Sequence, residues 1–174
     1  RHFLWRDIGR HGKGTVITLA AGNETRNVAA DAYAKHPYVI GVAASSNLDD
    51  WAPYSNFGEE VDVAAPSLGG TFADDNFGIV TTDVRGAEGY SIDAGAFDLD
   101  YTTDFSGTSA ACPVASGLAG LLLSVNPDLS AEQVRLILTA TADKIRADKV
   151  PWEQFFGQDL EAAFDYDDVG HSIA

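Results

Sequence analysis

The feature that most constrains this chain is an uncharged stretch, residues 105–127, in a sequence otherwise rich in acids. It contains Gly107-Thr108-Ser109 and continues through small and apolar residues to Val125. Such a run predicts a helix over 108–125 that is apolar on almost every face and must therefore be enclosed by other elements. Ser109 would lie in the first turn, where free backbone N–H groups and the positive end of the helix dipole favour developing negative charge. Ser109 is thus a candidate nucleophile.

Three apolar runs predict buried strands. They cover residues 15–20, 38–43 and 61–65. The first run closes with Gly22-Asn23, which is typical of a parallel strand ending in a turn. Because crossover segments separate the strands, we expect a mostly parallel sheet with helices on both faces, which is an α/β fold.

The rest of the chain gives weaker signals. Residues 67–104 are expected to form a long connection that holds one short strand at 78–82. After the serine helix, Ser130 and Gln133 form a capping-box pattern, which predicts a second helix that ends near Ala142.

Composition limits the class of protein. The 174 residues suffice for one domain, and 45% apolar residues suffice for a packed core. A net charge of -15 argues against nucleic acid or an anionic membrane as a partner. No run reaches the roughly 20 apolar residues that a membrane span needs. The single cysteine, Cys112, excludes an internal disulfide, and the start at Arg1 without a signal peptide suggests a mature or cut fragment.

The serine segment resembles the nucleophile motif of the subtilisin-like serine peptidases, Gly-Thr-Ser-x-Ala-x-Pro-x-x-x-Gly. All of its fixed positions are met between Gly107 and Gly117. The strand ending in Ala-Gly-Asn and the order of the later elements resemble the second half of this family, over residues 9–145, and the loop before the serine resembles kexin-type members. The resemblance implies a three-layer subtilisin-like fold that is incomplete at its N-terminal side.

The resemblance also implies a function, that of a serine endopeptidase acting on proteins or peptides without an organic cofactor. Ser109 would form the acyl-enzyme and Asn23 would hold the oxyanion, although an asparagine at this place can also be a simple turn residue. Ala21, Gly22 and Thr108 would contact the substrate. Family members suggest a secreted or cell-envelope location.

The other two catalytic residues of the family, an Asp and a His, precede the oxyanion asparagine, and neither of their motifs occurs in this chain. His11-Gly12 only superficially echoes the histidine motif, so His2, His11, His36 and His171 are expected to be surface residues. We therefore expect residues 1–174 to be the C-terminal portion of a single catalytic domain, inactive alone and completed by a missing N-terminal part, a second chain or self-association. The alternative is a non-catalytic binding or structural module.

Two places could bind calcium. Asp98, Asp100 and Asp104 bring together the oxygen ligands that calcium prefers, although loop carboxylates are often only solvated. The resemblance implies a second cation site, listed here by its ligands: the carbonyls of Ala34, His36 and Val39 with the carboxylate of Asp62. It also places Asp31 at the base of a substrate pocket, where an acid would attract Lys or Arg. The alternative for Asp31 is a solvent-facing turn.

Overall fold

The structure, a computed structural model, describes residues 9–28, 36, 38–58, 60–69, 78–91, 99–143, 145 and 172–173. Within them the elements follow the order β1 (Thr18–Ala20), β2 (Ile40–Ser45), β3 (Val63–Pro66), β4 (Ile79–Thr82), a 3₁₀ turn (Gly86–Glu88), β5 (Tyr101–Phe105), α1 (Thr108–Val125), α2 (Ala131–Thr141) and β6 (Ser172–Ile173). The predicted α/β class is confirmed.

The main sheet is parallel and has the strand order β1-β2-β3-β6. Thr18 of β1 is opposite Ile40 of β2, and Val42 of β2 is opposite Val63 of β3. All of β2 is buried, which explains its run of small and apolar residues without alternation. The prediction that β1 is fully buried was wrong for the described structure, because β1 is the edge strand there and is only half-buried.

Helix α1 covers one face of this sheet, and its bounds match the predicted helix 108–125. Ala111, Ala115 and Ala119 lie on one side of α1 and are buried against Val42 and Val63. Their small side chains let the helix approach the strands closely. Helix α2 packs on the same face, through Val134 and Leu138; the predicted capping box is present, with the Ser130 hydroxyl accepting from the Gln133 N–H.

The opposite face of the sheet is covered in a different way. Ala43 and Ala64 point away from α1 and pack with Val28, Trp51 and Phe57, which lie outside the named strands and helices. In the part of the chain that the structure describes, both long helices therefore share one face, and loops cover the other.

The outer side of α1 remains exposed within the described residues. The side chains of Leu121 and Val125 are 65% and 86% exposed, whereas Leu118 and Leu122 are partly buried. By length and composition alone α1 could cross a membrane. However, three alanines of α1 pack on the sheet, as in the core helix of a soluble domain. The absence of a membrane span stays a prediction.

A separate two-stranded sheet precedes α1. Strand β4 confirms the strand predicted at 78–82, and it pairs with β5 in antiparallel fashion. Strand β5 was not predicted from the sequence, because the acids around Tyr101–Phe105 are typical of loop residues. Threonine and aromatic residues in this segment favour a strand.

Candidate active site

Ser109 lies in the first turn of α1 and is exposed. The turn before it requires glycine, since Gly107 has a φ of 83° and a Cβ there would lie 3.1 Å from Asn23 Nδ2. Among the described residues, neither the backbone N–H nor the hydroxyl of Ser109 has a hydrogen-bond partner. Both groups are therefore available to a ligand at the start of the helix.

Asn23 reaches the start of α1 from the turn after β1. Its Oδ1 accepts the Thr108 backbone N–H at 2.8 Å and the Thr108 hydroxyl at 2.9 Å. The same hydroxyl oxygen accepts the Gly22 N–H at 3.1 Å. Because a backbone N–H can only donate, the atom facing Thr108 must be the amide oxygen, and the Nδ2 donor points elsewhere.

Two N–H groups are thus brought to one junction, that of Ser109 and that of the Asn23 side chain. In the described structure the side-chain hydrogen bonds of Asn23 all use Oδ1, so its Nδ2 has no acceptor there. Donors without protein acceptors beside a serine hydroxyl can stabilise an oxygen that becomes negative during a reaction.

Asn56, which the sequence analysis missed, holds the turn that carries Asn23. Its side chain is wholly buried. Oδ1 accepts the N–H groups of Glu24 and Arg26, each at 3.0 Å, and Nδ2 donates to Ala21 O at 2.8 Å and to Glu24 Oε2 at 2.7 Å. The only local signal was a turn-like Ser-Asn-Phe-Gly, which does not say what Asn56 touches.

Tyr54, also missed, lies beside the residue that precedes the helix. Its Oη accepts the Gly107 N–H at 3.2 Å and donates to Leu68 O at 2.6 Å. The Ser67 hydroxyl donates to Gly107 O at 2.9 Å. Burial raises the pKa of the Tyr54 phenol, and the hydrogen bonds to Ser67 and Gly107 offset part of that rise.

The candidate cation site at Asp62 is occupied by protein donors. Asp62 is buried; its Oδ2 accepts the Gly41 N–H at 2.8 Å, and its Oδ1 accepts Nε and Nη2 of Arg135 at 2.8 and 2.6 Å. The His36 carbonyl accepts the Val39 N–H at 2.9 Å, and Ala34 lies outside the described residues. In the described structure Arg135 therefore neutralises Asp62, and calcium binding by this ligand set stays a prediction.

The other candidate metal residues are also engaged locally. Asp100 accepts the Gly86 N–H at 3.3 Å and pairs with Arg85, and Asp104 accepts the Thr103 hydroxyl at 3.2 Å. Of the residues that the structure describes, no group of three or more His, Cys, Asp or Glu could hold a metal ion. Asp98 and Asp31 lie outside that part of the chain.

The histidines do not complete a triad in the described structure. His11 lies within a short helical stretch, residues 9–12, and is exposed. The ring of His36 packs against Tyr38 at a centroid distance of 5.3 Å. His2 and His171 lie outside the described residues.

Comparison with known proteins identifies relatives. The profile of the subtilase family of peptidases matches residues 4–160. A calcium-dependent protease of Nostoc sp. is 44% identical over 142 residues, which are 79% of this chain and 21% of that protein. An extracellular protease of Xanthomonas campestris pv. campestris is 34% identical over 137 residues, 77% of this chain and 20% of that protein.

Solved structures show the same fold. The crystal structure of the Aeromonas sobria serine protease in complex with its chaperone superposes with a TM-score of 0.75, at 24% identity, over 86% of this chain and 30% of that one. This chain therefore spans only about a fifth of the length of the two relatives named above, and about a third of that structure.

Proposed function

The chain belongs to the subtilase family, and we propose that it supplies the nucleophile and the oxyanion-binding part of a serine endopeptidase. The observation that carries the proposal is the pairing of Asn23 Oδ1 with Thr108, which leaves the amide donor of Asn23 without a protein acceptor in the described structure, beside the glycine turn that precedes Ser109. A serine hydroxyl and two N–H donors at one junction are what acyl transfer to a serine requires.

In the proposed reaction the Ser109 oxygen attacks the carbonyl carbon of a peptide bond. The carbonyl oxygen becomes negative and is held by the Asn23 amide and the Ser109 N–H. Collapse of this intermediate breaks the C–N bond, releases the amine and leaves an acyl group on Ser109, which water then hydrolyses. A base must take the serine proton and return it to the leaving amine.

That base and the carboxylate that orients it are proposed to come from outside this chain. In the described structure Ser109 has no histidine partner, and the chain covers about a fifth of the relatives named above. We propose that residues 1–174 are the C-terminal portion of one catalytic domain. An N-terminal portion or a second chain would complete it, and the exposed side of α1 would pack against that portion.

Substrate contacts are proposed at the same junction. Ala21 and Gly22 directly follow the edge strand β1, and Gly22 contacts Thr108, so an extended peptide could lie along this edge and present its carbonyl to Ser109. Asp31, which lies outside the described residues, is proposed to favour a Lys or Arg side chain before the cleaved bond.

Calcium and location are proposed from the relatives. One relative is named a calcium-dependent protease and another an extracellular protease. We propose that the whole protein acts outside the cytoplasm and needs calcium. Removal of calcium with EDTA should then lower the activity of the whole protein and calcium should restore it. Unchanged activity would contradict this.

The alternative function is that of a non-catalytic binding or structural module. This alternative is favoured by the absence of a histidine beside Ser109 in the described structure.

The deciding test is labelling by a fluorophosphonate, which reacts only with an activated serine, together with hydrolysis of a peptide substrate. We expect residues 1–174 alone to react poorly, and the same chain joined to the proposed N-terminal portion to react at Ser109. Ser109→Ala should abolish both signals, whereas Ser124→Ala, a control at an exposed serine of the same helix, should not. No Ser109-dependent reaction in the joined protein would establish the alternative.

A further inference from the structure

We propose that the connection between β2 and β3 is a two-sided positioning element for the site. In it, Asn56 fixes the turn of Asn23, and Tyr54 fixes Gly107 at the start of α1. The inference rests on the proposed function, since it concerns the same serine and the same amide donor. Neither Asn56 nor Tyr54 contacts the reacting atoms, so both are positioning residues.

On the Asn56 side of the element, the hydrogen-bonding capacity of the side-chain amide is fully used. The side-chain amide of asparagine offers two acceptor sites and two donors, and Asn56 uses all four on residues 21–26. Its backbone N–H adds a fifth bond, to Gly22 O at 2.9 Å. No other side chain has this set of donors and acceptors at this length, so Asn56 determines the path of the turn on both sides of Asn23.

The close fit at Gly22 supports the same conclusion. Gly22 has a φ of 102°, and a Cβ on it would lie 2.4 Å from Asn56 Nδ2. The turn therefore passes directly against the buried amide. A shift of the Asn56 side chain must move the backbone that leads into Asn23.

On the Tyr54 side, Tyr54 and Ser67 together bind both backbone polar groups of Gly107. Tyr54 Oη accepts its N–H and Ser67 Oγ donates to its carbonyl. Since glycine has no Cβ, the backbone of Gly107 could adopt many conformations, and the two bonds favour the one observed, with a φ of 83°. Thr108 and Ser109 follow directly, so their orientation depends on this anchor.

The two sides are joined within the loop itself. The Thr25 N–H donates to Tyr54 O at 3.0 Å, and the Thr25 hydroxyl donates to Pro53 O at 2.8 Å. The Asn23 turn and the start of α1 are thus tied to each other directly through Thr108 and a second time through residues 53–56. Rigid placement of this kind matters because a misplacement of about 1 Å can cost about 100-fold in rate.

The test uses the form of the protein that shows Ser109-dependent peptide hydrolysis. Tyr54→Phe, which removes a single oxygen, should lower kcat about 10-fold and leave KM within about twofold, because the lost contact aligns groups that act in the transition state. Asn56→Ala should lower kcat about 10- to 100-fold with KM similarly retained. The matched controls are Tyr90→Phe, at an exposed tyrosine, and Asn126→Ala, at the far end of α1; both should keep the parent kcat.

A double-mutant cycle separates positioning from general destabilisation. If Asn56 acts through Asn23, Asn56→Ala should cause no further loss of kcat in a protein that already carries Asn23→Ala. An equal loss in both backgrounds would overturn the inference. If Asn56→Ala does not fold, Tyr54→Phe decides alone, and a parental kcat in that variant would overturn the inference. Loss of Ser109 dependence in the parent would instead refute the proposed function.

Discussion

Asn23 Oδ1 lies 2.8 Å from the backbone nitrogen of Thr108, although 85 residues separate the two in sequence. This contact joins the end of an edge strand to the first turn of the central helix. It also fixes which end of the Asn23 amide faces outward. The candidate site depends on this relationship more than on any other single contact in the described structure.

Thr108→Val tests the hydroxyl bonds that accompany this backbone contact, without changing the shape of the side chain. The variant loses the hydroxyl that accepts the Gly22 N–H and donates to Asn23. Thr108 is buried, so we expect the free energy of unfolding to fall by about 1–3 kcal/mol. Urea denaturation of the 174-residue chain measures it. Thr141→Val, at an exposed threonine near the end of α2, is the control and should change stability by less than about 0.5 kcal/mol. Equal effects in the two variants would contradict the expected role of Thr108.

The Asp62–Arg135 pair should stabilise the fold. Removal of the guanidinium in Arg135→Ala leaves a buried carboxylate without its charge partner. Because Arg135 itself is partly exposed, we expect a loss of about 1–3 kcal/mol, less than for a fully buried pair. Thermal or urea unfolding is the measurement. Arg85→Ala breaks the exposed pair with Asp100 and should cost less than about 1 kcal/mol. An unchanged stability in Arg135→Ala would show that the pair does not stabilise the fold.

These contacts also mark how far the sequence could predict the structure. The bounds of α1 and the capping box of α2 were predictable because they depend on neighbouring residues: an apolar run after Gly107, and Ser130 with Gln133. The contacts of Asn56 with the Asn23 turn and of Tyr54 with Gly107 were not, since these partners lie 30 to 53 residues away and no local pattern encodes them. The ion pair of Asp62 was not predictable for the same reason, because Arg135 is 73 positions distant.

Tyr54 should make stability depend on pH in the alkaline range. Burial raises the pKa of this phenol above its unfolded value of 10.0, so the folded state favours the neutral form. The stability contributed by Tyr54 is fully present below pH 10 and is lost as the pH rises through the folded pKa. Urea unfolding between pH 8 and about 11 should show a steeper alkaline loss in the parent than in Tyr54→Phe. Identical slopes would contradict this.

The exposed side of α1 should make the isolated chain self-associate. Leu121 and Val125 present an apolar surface that we propose is covered by the rest of the domain. Light scattering should show dimers or larger species, with binding of a hydrophobic dye. The double variant Leu121→Ser, Val125→Ser should reduce both, whereas Val84→Ser, at an exposed valine of the β4–β5 connection, should not. A parent chain that is monomeric and binds no dye would contradict the proposed covering.

The most direct test of the central claim is the turnover of Asn23→Ala in the protein that shows Ser109-dependent hydrolysis. Loss of the amide donor removes an interaction that strengthens only as the oxyanion forms. The account therefore predicts a kcat about 100- to 1000-fold below that of the parent, with KM within about twofold. A kcat equal to that of the parent would show that Asn23 does not hold the oxyanion and would contradict the account.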